Sequence, residues 1–146
     1  MNKLFINTDG GSRGNPGPAA IGVAFFSTDG KEIFGYKEFI GEGTNNMAEY
    51  TAILRALEIL SKSTWFVENN SLDNEVYCRL DSKLVVEQLR GNYKVKTEHI
   101  GQFVQKIKSL ADNFSLKISF NYIPREENKA ADKLVNEALD LELKKK

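Results

Sequence analysis

Residues 4–41, LFINTDGGSRGNPGPAAIGVAFFSTDGKEIFGYKEFIG, decide the fold class because they hold apolar, β-rich runs separated by turn-forming residues. LFINTD (4–9) reads as a first strand, and residues 19–41 read as two more, joined by Thr28-Asp29-Gly30 between β-rich flanks. The chain thus opens with a strand followed by a hairpin. Asp9 stands at the end of the first run, and the segment after it, GGSRGNPGP (10–18), carries more glycine than ordinary packing requires.

From residue 44 the period changes. TNNMAEYTAILRALEILSK (44–62) places Met47, Tyr50, Leu54 and Leu57 at helical spacing, with Thr44 or Asn45 positioned to cap the start. SLDNEVYCRLD (71–81) supplies a fourth strand ending at Asp81, SKLVVEQLRG (82–91) a short helix stopped by Gly91, and residues 96–114 a further helix. LKISFNYIP (116–124) is the last strand and REENKAADKLVNEALDLEL (125–143) the last helix, with residues 142–146 expected to fray. Three strands in succession, then strands alternating with helices, predict a single α/β domain over 1–146 built on a mixed sheet covered by helices.

Composition narrows the function classes. At 146 residues, roughly two thirds of the unfolded surface can be buried, enough for one real core. Lys+Arg and Asp+Glu balance at 20 each, so any contact with nucleic acid must come from a local patch. Cys78 is the single cysteine, which excludes an internal disulfide, suits a reducing compartment and reads as a small core residue. No run approaches the roughly 18–20 apolar residues that span a bilayer, and Asp9 arrives too early for a signal sequence, so a cytoplasmic protein without membrane contact is expected. His99 and Cys78 are the only imidazole and thiol, which argues against zinc and against a serine or cysteine triad.

The carboxylates stand in telling places. Asp9 and Asp81 lie where apolar strands give way to Gly or Ser turns, the position at which open α/β sheets place ligands; turn formation, or N-capping by Asp81, is the alternative. Glu49 is followed at four, seven and eleven residues by Ile53, Ala56 and Leu60, which puts it on an apolar stripe. Asp132 repeats the arrangement with Val135 and Leu139, whereas Glu126 and Glu127 fit an exposed helix start. A buried carboxylate needs a partner. Arg79, Arg125 and Lys83 are candidates, and so is a divalent cation such as Mg²⁺, which takes oxygen ligands.

TDGGSRGNPGPAAIG (8–22), TNNMAEYTAILRAL (44–57), LDSKLVVEQLRGNYKVK (80–96) and IPREENKAADKLVNEAL (123–139) together resemble the type 1 ribonuclease H family, in the family's order and across nearly the whole chain. The resemblance implies the ribonuclease H-like fold, an α/β five-stranded mixed sheet whose first three strands are antiparallel and whose last two are parallel additions. It implies hydrolysis of the RNA strand of RNA–DNA hybrids, leaving 5′-phosphate and 3′-hydroxyl ends, by two Mg²⁺ ions, with Mn²⁺ as a substitute. The metal-binding and catalytic positions would be Asp9, Glu49, Asp81 and Asp132. Asp9 and Asp81 would serve both ions, Glu49 the leaving-group side and Asp132 the nucleophile side. Asn15, Asn45 and Asn46 match positions that contact the RNA strand, Thr44 one that helps hold a DNA phosphate, and Gly11 and Ser12 offer backbone contacts, the glycines letting backbone approach the RNA. Capping or Asx-turn formation is the alternative for the asparagines. A monomer acting on the hybrid is expected, with double-stranded RNA a further candidate substrate. A non-catalytic binding module of this fold, or a DNA-cutting nuclease of the same superfamily, is the competing assignment.

The chain departs from the family in two places. NYIPREENKAAD (121–132) lacks the histidine that the best-known bacterial members carry before the last helix, and Arg125 is the nearest polar substitute. EQLRGNYKVKTEHIGQF (87–103) joins two helices directly, without the basic, Trp-rich protrusion of some relatives, which predicts weaker binding. Lys83 and Arg90, with Tyr93, Lys94 and Lys96, could form a smaller backbone-tracking patch. Trp65 is expected to pack at a helix end.

Overall fold

The computed structural model describes residues 2–145. Strand β1 (Lys3–Ser12) lies at the centre of a five-stranded sheet, flanked by β2 (Gly17–Phe26) and β4 (Glu75–Leu80), with β3 (Glu32–Gly43) and β5 (Lys117–Tyr122) at the edges. β1, β2 and β3 pair antiparallel, and β4 and β5 are added in parallel, as the resemblance implies. The helices are α1 (Asn45–Ser61), α2 (Thr64–Asn69), α3 (Lys83–Leu89), α4 (Glu98–Asp112) and α5 (Lys129–Leu143). Among the described residues no helix is long and apolar enough to cross a membrane.

One sheet face carries Leu4, Ile6, Val23, Val76 and Cys78 against Tyr50, Ile53, Leu57 and Leu60 of α1, with Val85, Val86 and Ile107 closing the layer. Each large apolar side chain buried there contributes about 1.5–3 kcal/mol relative to exposure. The other face is covered by α5 through Val135, Ala138 and Leu139, which pack on Ala20.

Three local readings are corrected. β1 does not end at Asp9 but pairs with β2 as far as Ser12, opposite Ala19. What ends there is the parallel partner: the β1–β4 pairing stops at Asn7 opposite Arg79, so Asp9 stands where the two strands part. α1 is capped by Thr44, whose Oγ1 accepts from the Met47 amide at 3.1 Å, and α3 by Ser82, whose Oγ accepts from Val85 at 3.3 Å; Asp81 therefore caps nothing. The last helix begins at Lys129 rather than Arg125, because Pro124 opens a separate 3₁₀ turn over Arg125–Glu127 and Asn128 (φ −112°, ψ 29°) lies outside helical geometry. α5 runs to Leu143, and Lys146 lies outside the described residues. α2 is an addition that six residues without a period did not announce; it half-buries Trp65 and Phe66 against the core.

Two glycines set the depth of the helices on the sheet. A Cβ at Gly10 would lie 2.3 Å from the Ala48 carbonyl and 2.6 Å from the Glu49 nitrogen, so only glycine lets α1 sit this low beside Asp9. Gly22, opposite Asp9 on β2, plays the same part for α5, with its Cβ position 2.3 Å from the Ala131 oxygen. The nearest neighbours of Gly11 are at 3.8 Å, an ordinary contact. Gly10 therefore serves helix approach, and it also lines the cleft described below.

Candidate active site

Four elements each deliver one carboxylate to the fork between β1 and β4. Asp9 comes from β1, Glu49 from the second turn of α1, Asp81 from the residue after β4, and Asp132 from the first turn of α5. All four line a cleft of about 310 Å³. Between Asp9, Glu49 and Asp81 lies a recess of about 10 Å³ backed by Thr8 and Leu80, on the scale of one water or one bare cation.

The charges in this cleft are poorly compensated. Asp9 is pushed up to about 8, first by burial and then by the neighbouring charges of Asp81 and Asp132, while the Gly10 amide, donating at 3.0 Å, works the other way. Glu49 is pushed up to about 7, mainly by burial and further by Asp81; the Ser82 hydroxyl and the Arg125 guanidinium oppose the shift. None of the four carboxylates forms a salt bridge among the described residues. Arg79 is not their partner: its Nε donates to Asn7 Oδ1 at 2.7 Å and its guanidinium lies 4.6 Å from the Phe5 ring centroid. Lys83 is exposed at the start of α3 and does not line the cleft.

The donor set suits a hard divalent cation. It is all oxygen, with no imidazole or thiol lining the cleft. Among the described residues no three acidic, His or Cys side chains stand close enough together to hold a metal ion as they are placed. Mg²⁺ characteristically binds through a few carboxylates plus waters.

Gly11, Ser12, Asn45 and Arg125 also line the cleft. Asn45 is tied to the β1–β2 turn: its Oδ1 accepts from the Ser12 amide at 2.8 Å and from Ser12 Oγ at 3.2 Å, and its backbone N–H donates to Asn15 Oδ1 at 3.0 Å. Both amide oxygens are thus engaged, while neither Nδ2 donates within the described residues. Asn15, Thr44 and Asn46 border this region without lining the cleft itself.

Three site residues escaped sequence reading. Asn136 donates to the Asp132 carbonyl at 3.1 Å and to its Oδ2 at 3.4 Å, one helical turn on. Arg13 reaches Asn136 Oδ1 at 3.4 Å and pairs with Asp140 at 2.7 Å. Asn128, one turn before Asp132, donates from Nδ2 to the Thr8 carbonyl at 2.9 Å and to Asp81 Oδ2 at 3.1 Å. The i±4 spacing of Asn128 and Asn136 about Asp132 is the signal that could have found them.

Comparison with known proteins bears on this arrangement. The reverse-transcriptase-like family matches residues 7–138. The chain is 37% identical over 139 residues to a bifunctional protein of Mycobacterium tuberculosis, covering 94% of this chain and 36% of that protein. It is 37% identical over 132 residues to ribonuclease HI of Halobacterium salinarum, covering 90% of this chain and 62% of the relative. The chain thus spans 36% of the mycobacterial relatives' length. LC11-RNase H1, solved in complex with RNA/DNA hybrid, matches with a TM-score of 0.87 at 44% identity, over 96% of this chain and 99% of that one. RNase H1 of Halobacterium salinarum matches with a TM-score of 0.84 at 36% identity, over 94% and 98% of the two chains.

Proposed function

The chain belongs to the type 1 ribonuclease H family within the reverse-transcriptase-like group, and from that membership we propose that it is an endoribonuclease hydrolysing the RNA strand of RNA–DNA hybrids. The observation that carries this reading is the convergence of Asp9, Glu49, Asp81 and Asp132 on one cleft with no salt bridge to any of them among the described residues. A pure binding module gains nothing from four carboxylates facing a polyanion. LC11-RNase H1, 44% identical, is known in complex with RNA/DNA hybrid, which supports the same substrate here.

Asp9, Glu49, Asp81 and Asp132 would hold two divalent cations, Mg²⁺ or Mn²⁺. Such ions, when bound, supply an activated water and a stabilised leaving oxygen for in-line displacement at phosphorus, which leaves 5′-phosphate and 3′-hydroxyl ends. The chain's own groups do the rest. Burial of Asp9 and Glu49 keeps both carboxyls at least partly protonated near neutrality, so the cleft exchanges protons for cations as it loads. Arg125 offsets the charge of Glu49 in the loop where the best-known bacterial members of the family carry histidine. Its planar guanidinium carries five donors and no acceptor, so the part it can play is to neutralise charge and donate hydrogen bonds.

The Asn15 and Asn45 amide nitrogens at the cleft rim, and the Asn46 side chain beside them, supply hydrogen-bonding groups for 2′-hydroxyls across the wide minor groove of an A-like duplex. Thr44 and Lys83 would meet backbone phosphates, and Gly11 and Ser12 offer backbone contacts. The test is a labelled panel of RNA–DNA hybrid, double-stranded RNA and double-stranded DNA in Mg²⁺ and in Mn²⁺. The hybrid's RNA strand is expected to be cut and double-stranded DNA left intact; an uncut hybrid at every enzyme concentration rejects the proposal.

A further inference from the structure

We infer that Asn128 is a positioning residue that fixes the Asp81 carboxylate against the strand carrying Asp9, an inference that rests on the metal-dependent reading of this cleft. Asn128 is fully buried at 0% exposure. Its Nδ2 spends one hydrogen on the Thr8 carbonyl at 2.9 Å, the residue before Asp9, and the other on Asp81 Oδ2 at 3.1 Å. That is the only hydrogen bond the Asp81 carboxylate makes among the described residues. The Asn128 carbonyl meanwhile accepts from the Asp132 amide at 3.1 Å. One side chain and its own carbonyl therefore tie together the backbone beside Asp9, the carboxylate of Asp81 and the first turn bearing Asp132.

The amide cannot be turned round, because Oδ1 would then face two acceptors. In the orientation it keeps, Oδ1 is buried with no partner among the described residues. A half-satisfied buried amide lowers stability, so packing alone does not account for it. Geometry does. β1 and β4 part at Asn7 and Arg79, so past that point no backbone ladder sets the distance between Asp9 and Asp81; the Asn128 bridge spans the gap. A neutral donor also suits the place better than Lys or Arg, which would cancel the Asp81 charge and compete with a cation. Partners that orient metal-binding side chains in this way are typically worth about tenfold to a hundredfold in metal affinity or activity.

The experiment compares wild type, Asn128→Ala and Asn128→Asp by titration calorimetry with Mn²⁺ alone, by thermal melting without metal, and by the Mg²⁺ dependence of hybrid cleavage. Asn128→Asp keeps the shape and removes both donor hydrogens. Should Asn128→Ala not fold, Asn128→Ser takes its place. Both variants are expected to melt cooperatively, to bind Mn²⁺ at least tenfold more weakly, and to need at least tenfold more Mg²⁺ for half-maximal cleavage, with a smaller change at saturating Mg²⁺. Wild-type affinity for Mn²⁺ in folded variants overturns the inference. If wild type binds Mn²⁺ in an Asn128-dependent way but cuts no hybrid, the positioning role stands and the proposed function falls.

Discussion

The Cβ position of Gly22 falls 2.3 Å from the carbonyl oxygen of Ala131, in the first turn of α5 and next to Asp132. A side chain there must push the helix off the sheet. Gly22→Ala is expected to lower stability by about 1–3 kcal/mol, as overpacking does, and to reduce cleavage by displacing Asp132. Gly10→Ala should do the same through Ala48 and Glu49, whereas Gly11→Ala, with 3.8 Å of clearance, should leave the melting curve nearly unchanged. Denaturant unfolding of the three variants checks the ordering, and equal costs would show that close approach does not set them.

Asp9→Asn should stabilise the metal-free protein while abolishing metal-supported turnover. Native Asp9 holds its proton up to about pH 8, whereas an unfolded aspartate releases it near 3.8. The native state then binds more protons than the unfolded chain across that window, so metal-free stability falls as pH rises through it. The amide removes this dependence, and we expect about 1–2 kcal/mol of stabilisation at pH 8 and almost none at pH 4. Urea midpoints in EDTA at both pH values test it; a variant less stable than wild type at pH 8 contradicts the stated origin of the shift.

Loading of the cleft should release protons. With Asp9 near 8 and Glu49 near 7, Mn²⁺ binding at pH 7 is expected to expel about one proton and to tighten between pH 6 and pH 8.5. Calorimetry in buffers of different ionisation enthalpy counts the proton directly. Heats independent of buffer would show that neither carboxyl is protonated in the free protein.

The neighbouring asparagines should separate recognition from architecture. Asn46 makes no side-chain hydrogen bond within the described residues, so Asn46→Ala should change stability by less than about 0.5 kcal/mol while raising KM for the hybrid. Asn45 accepts from Ser12 at 2.8 Å, so Asn45→Ala should cost about 1 kcal/mol in addition. Melting curves and hybrid titrations distinguish the two, and an unchanged KM for Asn46→Ala removes its recognition role.

Two of the carboxylates break a local rule, and the resemblance supplies the other two. Glu49 and Asp132 interrupt apolar helical stripes and so demand a partner, whereas Asp9 and Asp81 stand at the ends of apolar runs where a turn or cap is the alternative, and only the family resemblance joins the four into one set. Asn128 broke no rule. A helix drawn over 125–143 makes it an ordinary helical residue, and its real partners, Thr8 and Asp81, are 120 and 47 residues away. The extension of β1 through Gly10-Gly11-Ser12 was hidden because those residues have little strand preference; pairing with Ala19–Ile21 imposes it. The early helix start drawn through Arg-Glu-Glu followed helix propensity, which Pro124 and the 3₁₀ turn override.

Whether four carboxylates on four elements form one metal-dependent cutting site can be decided with a single 5′-labelled RNA–DNA hybrid. It is incubated with wild type and Asp9→Asn, in Mg²⁺ and in EDTA, and the RNA ends are identified. Fragments ending in 5′-phosphate and 3′-hydroxyl are expected from wild type in Mg²⁺ alone. Cleavage that persists in EDTA or in Asp9→Asn, or an RNA strand left whole by wild type in Mg²⁺, would show that these carboxylates and their cations do not do the cutting.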